Sequence, residues 1–209
     1  CVVRDNLFEN NGALSGYGCG IYLEGRSHSN LIENNMIKGG TAAGISFHGS
    51  SFNKVVNNIL SNIAPNTQWK LAAAFVVGHS YEGPLTQSKG NLVAHNTVWN
   101  CPSPIVVLEP ASIVASDELN RFVNNLFYKC IFLSQLPRFP AIIAEGNGWF
   151  DCPRGESSAK KKIGNWLKQL GGINNKIGSD PLLRNPEAGD FHAQPQSPIL
   201  QGGVLLKEL

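Results

Sequence analysis

The chain has 209 residues, a hydrophobic fraction of 42% and a charged fraction of only 15%. Its net charge of +2 is too small to indicate a nucleic-acid partner, and no apolar run is long enough to predict a membrane span. Asparagine, glycine and serine supply much of the polarity, which is typical of a chain with many tight turns.

One short phrase recurs along most of the chain: an apolar residue, an asparagine three positions later and then an apolar pair. The anchoring asparagines are Asn6, Asn35, Asn58, Asn96, Asn125 and Asn147. They are separated by 29, 23, 38, 29 and 22 residues. A period in the twenties with loop-sized excesses predicts a solenoid, in which each repeat packs on its neighbours.

Each repeat contains three short apolar segments bounded by Gly, Asn, Ser or Pro, which favours strands over helices. The first segment leads to the anchoring asparagine, and the second follows it. The third begins at Gly20, Gly44, Ala74 and Pro104. Three short strands per repeat predict an all-β chain that coils into three parallel sheets around a narrow apolar interior, which is a parallel β-helix.

The asparagines suggest how the coils turn their corners. A corner between two strands needs a residue with positive φ, and Asn and Gly adopt that conformation at the least steric cost. We therefore expect the anchoring asparagines at corners, with their amides hydrogen-bonded to the copies above and below. A second row, five residues earlier in the repeat, predicts another corner and consists of Asn30, Asn53, Asn91 and Asn120.

Three of the five cysteines follow an anchoring asparagine by five residues, namely Cys101, Cys130 and Cys152. In stacked coils they would lie one above the other, about 4.8 Å apart. We interpret this row as a buried apolar stack, with a disulfide within it as the alternative. A zinc site is the poorest interpretation because the sequence contains no C-x-x-C pair.

The longest gap between anchors, from Asn58 to Asn96, predicts two loop insertions, over residues 64–70 and 78–87. Insertions in repeat proteins emerge on one face, which is often the binding face. Their aromatic and charged side chains make them candidates for ligand contact: Trp69, Lys70, His79, Tyr81 and Glu82.

The repeat pattern weakens after Asn147. We therefore divide the chain into β-helix coils over residues 1–150 and a C-terminal helix and capping segment over residues 151–209. Within the second part, a possible serine cap at Ser157 and apolar residues at helical spacing predict a short helix that ends at Gly171 and packs on the solenoid.

The tail supplies a resemblance, through residues 166–169, 178–183, 189–195 and 197–203. Together with the asparagine repeats, it resembles the C-terminal portion of secreted right-handed parallel β-helix proteins. This pectate-lyase-like superfamily is rich in polysaccharide lyases and includes some glycoside hydrolases. The resemblance implies an extracellular or periplasmic protein whose partner is a polysaccharide or glycan.

The beginning of the chain is abrupt. Cys1 aligns with Asn30, so the first residue already lies inside a repeat. Solenoids need polar caps at their ends. We therefore expect N-terminal coils and a cap, on a missing segment or a separate chain, and that part could hold half of the active site.

In the superfamily that the tail resembles, the ligand groove runs along one parallel sheet. The polar residues at the end of the third strand in successive repeats are Glu24, His48, His79 and Glu109. The first two match in register, and the last two are displaced by one residue. Further polar residues lie in the connecting loops just beyond: Arg26, His28, Tyr81 and Glu82. Tyr22 and Ser46 are expected to point outward.

A lyase acting on uronic-acid sugars must neutralise the carboxylate, remove the C5 proton and protonate the leaving oxygen. His48 or His79 could be the base, Tyr81 the acid and Arg26 the carboxylate partner. Trp69 and Lys70 would add substrate contacts.

A hydrolase needs two carboxyl groups at a defined separation, and Glu24 with Glu109 or Glu82 are the available ones. Glu24 and Glu109 lie three coils apart, which predicts roughly 14 Å between them and exceeds the inverting range of about 9.5 Å. The lyase interpretation is therefore placed ahead of the hydrolase.

Polar residues at strand ends occur on any solenoid. A non-catalytic carbohydrate-binding or surface-assembly solenoid is therefore the alternative to an enzyme. The few aspartates are dispersed and do not predict a calcium cage, so we expect neither a metal nor another cofactor.

Overall fold

A computed structural model describes residues 1–12, 18–40, 42–65, 72–78, 87–108, 118–130, 142–152, 173–178 and 180–199. The described part is built almost entirely of short parallel strands in three stacked sheets, with an antiparallel pair near the C-terminus. The predicted all-β parallel β-helix is confirmed. Strands are numbered β1 to β19 in chain order.

Sheet 1 contains the strands that lead to each anchoring asparagine. Its members are β1 (Val2–Arg4), β4 (Leu31–Glu33), β7 (Lys54–Val56), β10 (Leu92–Ala94), β13 (Asn120–Val123) and β15 (Ile142–Glu145). Residues at equivalent repeat positions pair directly, as Val3 does with Ile32. Because the register is preserved from coil to coil, each inward column is continuously apolar.

Sheet 2 contains the strands that follow the asparagines. Its members are β2 (Leu7–Glu9), β5 (Met36–Lys38), β8 (Ile59–Ser61), β11 (Thr97–Trp99), β14 (Leu126–Tyr128), β16 (Gly148–Phe150) and β17 (Lys176–Gly178). Its inner column includes Phe127 stacked on Trp149, with ring centroids 4.2 Å apart. Both rings are fully buried, and each buried side chain of this size stabilises the fold by about 1.5–3 kcal/mol.

Sheet 3 has the longest strands, which run in the order β12, β9, β6, β3. They are β3 (Gly18–Glu24), β6 (Ala42–His48), β9 (Ala72–Gly78) and β12 (Ser103–Val107). A small residue is required at Gly44, where neighbouring coils approach each other closely. A Cβ added to Gly44 would lie 2.8 Å from the carbonyl oxygen of Ala74, on the next coil. This close approach explains the glycine that starts the third segment of that repeat.

The anchoring asparagines form a continuous hydrogen-bonded ladder. In each rung the Nδ2 of one asparagine donates to the Oδ1 of the next at 2.9–3.2 Å. The same Nδ2 also reaches backbone carbonyls, as Asn96 does with Val55 O and Ala94 O. The amides therefore satisfy backbone groups that the corner would otherwise leave unpaired inside the core.

The positive φ expected at each anchoring asparagine is found one residue earlier, so that prediction was wrong by one position. The left-handed residue is the one immediately before each anchor: Asp5, Asn34, Asn57, His95, Asn124, Gly146 and Asn174. The anchor itself turns its side chain inward to make the ladder. The corner thus uses two adjacent residues, one for the bend and one for the hydrogen bonds.

The second asparagine row, which was predicted to mark another corner, also forms a ladder. Nδ2–Oδ1 hydrogen bonds of 2.7–2.8 Å connect its members, which are Asn30, Asn53, Asn91 and Asn120. The predicted alignment of Cys1 with Asn30 is confirmed as well. Leu31 N donates to Cys1 O in the same way that Lys54 N donates to Asn30 O.

The cysteine row lies in the core, as the period predicts. Cys101, Cys130 and Cys152 are buried, belong to the main apolar cluster and have free thiols. The backbone N–H of Cys130 donates to Cys152 Sγ at 3.1 Å, so consecutive cysteines occupy neighbouring coils. The stack is apolar packing, and the alternative disulfide is not formed.

The solenoid continues past residue 150 by part of a coil. Asn147 donates to Asn175 Oδ1, and β17 pairs with β16, so Asn175 is a seventh rung of the ladder. The sequence comparison between repeats missed this rung. The helix predicted between Ser157 and Gly171 lies outside the described residues, and the boundary at residue 150 stays a prediction.

The tail folds onto the outer face of sheet 2. Strands β18 (Leu183–Asn185) and β19 (Asp190–Ala193) pair antiparallel around a 3₁₀ turn at Pro186–Ala188. Apolar residues from both sides form one buried cluster: Ile59, Trp99, Leu126, Phe150, Leu183, Phe191 and Ile199. Within the described ranges, no helix is long and apolar enough to span a membrane.

Candidate functional site

The predicted polar row lies at the C-terminal edge of sheet 3. Glu24 and His48 pair in register, as the sequence predicts, and the next residue in the row is Gly78. Successive strands of a sheet lie about 4.8 Å apart, so the carboxylate and the imidazole belong to adjacent coils on one edge. Of the four residues predicted for this row, the described structure places these two.

His48 lies between two neighbours that determine where its ring can sit. On one side the Tyr22 ring lies 5.0 Å away, centroid to centroid, with an interplanar angle of 30°. On the other side is Gly78, where an added Cβ would come within 3.3 Å of His48 Nδ1. The absence of a side chain at residue 78 therefore makes room for the imidazole.

Exposure differs sharply within this group. The side chain of Tyr22 is 41% exposed, whereas His48 is only 3% exposed. Ser46, the partner of Tyr22 across the strands, is also buried. Tyr22 points outward as predicted, and it is the most exposed of Tyr22, Ser46 and His48.

Arg26 is held beside this edge by a tight turn. Ser27 N donates to Glu24 O at 3.1 Å, and Gly25, with φ of 59°, donates to His48 O at 2.8 Å. Glycine is needed here because the turn requires a positive φ. The turn places an exposed guanidinium two residues from the Glu24 carboxylate.

Cys19 lies on the same strand as Tyr22 but has an environment that suppresses its reactivity. Burial raises the pKa of the Cys19 thiol to about 11, although a hydrogen bond with Ser46 acts in the opposite direction. The thiolate is the nucleophilic form of cysteine. Cys19 is therefore not a nucleophile at neutral pH.

Several predicted site residues lie outside the described residues: Trp69, Lys70, His79, Tyr81, Glu82 and Glu109. Their roles, and the separation of Glu24 from Glu109, stay predictions. The separation was calculated from four consecutive coils along sheet 3, and the structure confirms the order of these coils. In the described ranges, no group of three or more His, Cys, Asp or Glu side chains is placed to hold a metal ion.

Sequence reasoning placed Tyr22 on the outer face but did not associate it with His48. The contact is diagonal, since Tyr22 pairs with Ser46 and His48 pairs with Glu24. Diagonal neighbours across two strands are within reach of aromatic side chains. The signal was the period-2 alternation that puts Tyr22, Glu24 and the residues opposite them on one face.

The comparisons agree with this architecture. Residues 3–135 match the family model described as the right-handed β-helix region, which is more than half of the chain. The chain belongs to the right-handed β-helix family. A right-handed β-helix region is compatible with a carbohydrate-active protein and with β-helix proteins in general. No curated protein matches the chain.

Proposed function

We propose that this protein acts on an acidic polysaccharide at the edge of sheet 3, outside the cell or in the periplasm, and cleaves it by β-elimination. The observation that carries the proposal is the grouping of Tyr22, His48 and Glu24 on adjacent coils, with Arg26 in the turn that follows. The group combines an exposed aromatic ring, an imidazole and a guanidinium.

Arg26, His48 and Tyr22 each have a role in the reaction. Arg26 pairs with the uronate carboxylate, which lowers the cost of negative charge at C5. His48 accepts the C5 proton, the electron pair left behind forms the C4–C5 double bond, and the C4–O bond breaks. A general acid protonates the departing oxygen, the role proposed for Tyr81. Tyr22 supplies an aromatic surface for the sugar ring.

The burial of His48 supports a second candidate, a solenoid that binds glycans without cleaving them. His48 is only 3% exposed, so the sugar or the Tyr22 ring must move before the imidazole can accept a proton from the substrate. In the binding function, His48 instead supports Tyr22, and the contact surface consists of Tyr22 and Arg26.

Incubation with a panel of uronate polysaccharides distinguishes the two candidates. Cleavage produces unsaturated ends that absorb in the ultraviolet, and His48→Gln should lower the rate by about 100-fold or more. Binding is measured in parallel by the retardation of the protein in gels that contain each polymer. His192→Gln, in the tail, is the control histidine variant.

The outcomes separate clearly. Cleavage that depends on His48 supports the lyase. Retardation without products, weakened by Arg26→Met, supports the binding function. If no polymer is cleaved and none retards the protein, both candidates are contradicted.

A further inference from the structure

A cavity of about 260 Å³ lies away from the sheet 3 site, where sheet 2 meets the tail. Its walls come from three consecutive coils and from the 3₁₀ turn. The described residues that form it are Trp99, Asn100, Lys129, Asp151 and Glu187. None of them belongs to the sheet 3 site.

The coil geometry brings polar side chains to this cavity. Asn100, Lys129 and Asp151 each follow a strand of sheet 2 and have positive φ, with values of 52°, 54° and 47°. They occupy the same position in consecutive coils. The repeated corner therefore places Asn100, Lys129 and Asp151 in one row, on backbones about 4.8 Å apart.

The tail closes the other side. Lys129 Nζ lies 3.7 Å from the Glu187 carboxylate and 5.4 Å from the centre of the Tyr128 ring. Trp99 is 7% exposed and packs edge-on against Phe191, with ring centroids 5.9 Å apart. The cavity is thus built between two packed layers.

The charges of the lining disfavour an anionic ligand. One ammonium and two carboxylates leave a net charge of −1, since +1 from Lys129 is outweighed by −2 from Asp151 and Glu187. The excess of negative charge also affects the neighbouring Tyr128 hydroxyl. Its pKa is raised by burial and further by the charges of Asp180, Asp151 and Glu187. An anionic sugar would meet this negative potential, whereas an uncharged one would not.

We propose that this cavity binds one neutral pyranose ring of a glycan. Hydroxyl groups both donate and accept hydrogen bonds, so the carboxylates of Asp151 and Glu187 accept from them and Lys129 donates to them. Trp99 supplies the apolar wall. The volume is below the range of about 300–1,000 Å³ typical of drug-sized ligands, which suits a single ring.

Trp99 also carries an unused donor. Its Nε1–H is shielded from solvent and has no hydrogen-bond partner within the described part of the chain. Buried indole N–H groups normally have a partner. Trp99 lines the cavity, so a bound ring would change the chemical environment of the indole, which makes its N–H signal a reporter of binding.

The test is a nuclear magnetic resonance titration of the ¹⁵N-labelled full chain. The Trp99 indole signal is assigned from its loss in Trp99→Phe. The probes are the methyl glycosides of neutral hexoses and pentoses, with methyl glucuronide and methyl galacturonide as charged counterparts. We expect a saturable shift of the Trp99 signal, at millimolar concentrations, for at least one neutral glycoside.

Variants locate the site. Asp151→Asn and Glu187→Gln should each weaken the affinity by about five-fold or more, because each loses a charged acceptor. Glu9→Gln is the matched control: Glu9 is an exposed carboxylate on sheet 2, three strands from Trp99, paired with Lys38 at 3.4 Å.

Three results would overturn the proposal. One is the absence of a saturable shift with every neutral glycoside up to about 50 mM. Another is tighter binding of a uronide than of any neutral ring. The third is affinity that survives the Asp151→Asn, Glu187→Gln double variant. The titration uses no acidic polymer and no cleavage, so its failure is independent of failure at sheet 3.

Discussion

Asn96 and Asn125 are joined by two hydrogen bonds: the backbone N–H and the Nδ2 of Asn96 both donate to Oδ1 of Asn125, at 2.9 and 3.0 Å. Both asparagines are fully buried. One amide oxygen therefore accepts two hydrogen bonds from the coil before it. This unit repeats along the solenoid and connects every coil to the next.

Removing one rung should destabilise the protein strongly. Asn96→Ala leaves Asn58 N without its acceptor and Val55 O without its donor, both in the core. We expect the free energy of unfolding to fall by about 3 kcal/mol, since each buried group left unpaired costs about 1–3 kcal/mol. Urea unfolding followed by circular dichroism measures the change.

The end of the ladder provides the control. Asn6 is an exposed rung with the same side chain and the same bond to Asn35. Asn6→Ala should cost less than about 1 kcal/mol because water replaces the lost partners. Equal losses at the two positions would contradict the ladder as a source of buried hydrogen bonding.

The tail should contribute to stability through Phe191. This ring is 5% exposed and packs with Trp99 on sheet 2. Phe191→Ala should lower the free energy of unfolding by about 3–5 kcal/mol, as large-to-small core substitutions of phenylalanine do. Thermal and urea unfolding check this.

Phe52→Ala is the matched phenylalanine control, because that ring is 51% exposed. A change within about 0.5 kcal/mol is expected there. If Phe191→Ala were as mild as Phe52→Ala, the tail would not be part of the cooperative fold.

The buried thiols should make stability depend on pH in the alkaline range. Burial raises the pKa of Cys101 to about 12 from an ordinary value of 9.0. The folded state therefore holds the proton more tightly than the unfolded state. This stabilisation is complete below pH 9 and is lost progressively as the pH rises toward 12.

Comparison with Cys101→Ala isolates that effect. Unfolding free energies measured in urea at about pH 8 and 10.5 should fall more in the wild type than in the variant. A thiol reagent at neutral pH should react first with exposed Cys1 and slowest with Cys101, Cys130 and Cys152. Rapid labelling of the three buried thiols would contradict the stack.

Gly78 should control the position of His48. Gly78→Ala adds a Cβ about 3.3 Å from His48 Nδ1, tight enough to displace the ring by a few tenths of an ångström. Gly78 has no positive φ, so the backbone accepts alanine. We expect the cleavage rate, or glycan affinity, to fall by about 10-fold with little loss of stability.

Ala74→Gly is the companion variant on the same strand, at a position that faces the core and not His48. It should lower stability without a specific effect on the site. An unchanged His48 resonance in the spectrum of Gly78→Ala would count against the positioning role of Gly78.

The spacing of Asn35, Asn58 and Asn96 predicted the coils, and the matching third segments that begin at Gly20 and Gly44 predicted the in-register pairing of Glu24 with His48. The positive φ was assigned to the anchor and belongs to the residue before it, because the corner divides the bend and the inward hydrogen bonds between two adjacent residues. Asn175 follows Asn147 by 28 residues, an ordinary repeat spacing, and was missed because the sequence between Ser157 and Gly171 was interpreted as a helix.

The sequence by itself determined the solenoid, because each coil repeats the same local demands: a bend, an inward amide and an apolar column that must match its neighbours. Only the tertiary structure decided which polar residues remain accessible. The burial of His48, its contact with Tyr22 and the packing of Phe191 on Trp99 depend on residues distant in sequence. The cavity beside Glu187 exists because the tail folds back onto sheet 2, a long-range contact that no periodicity encodes.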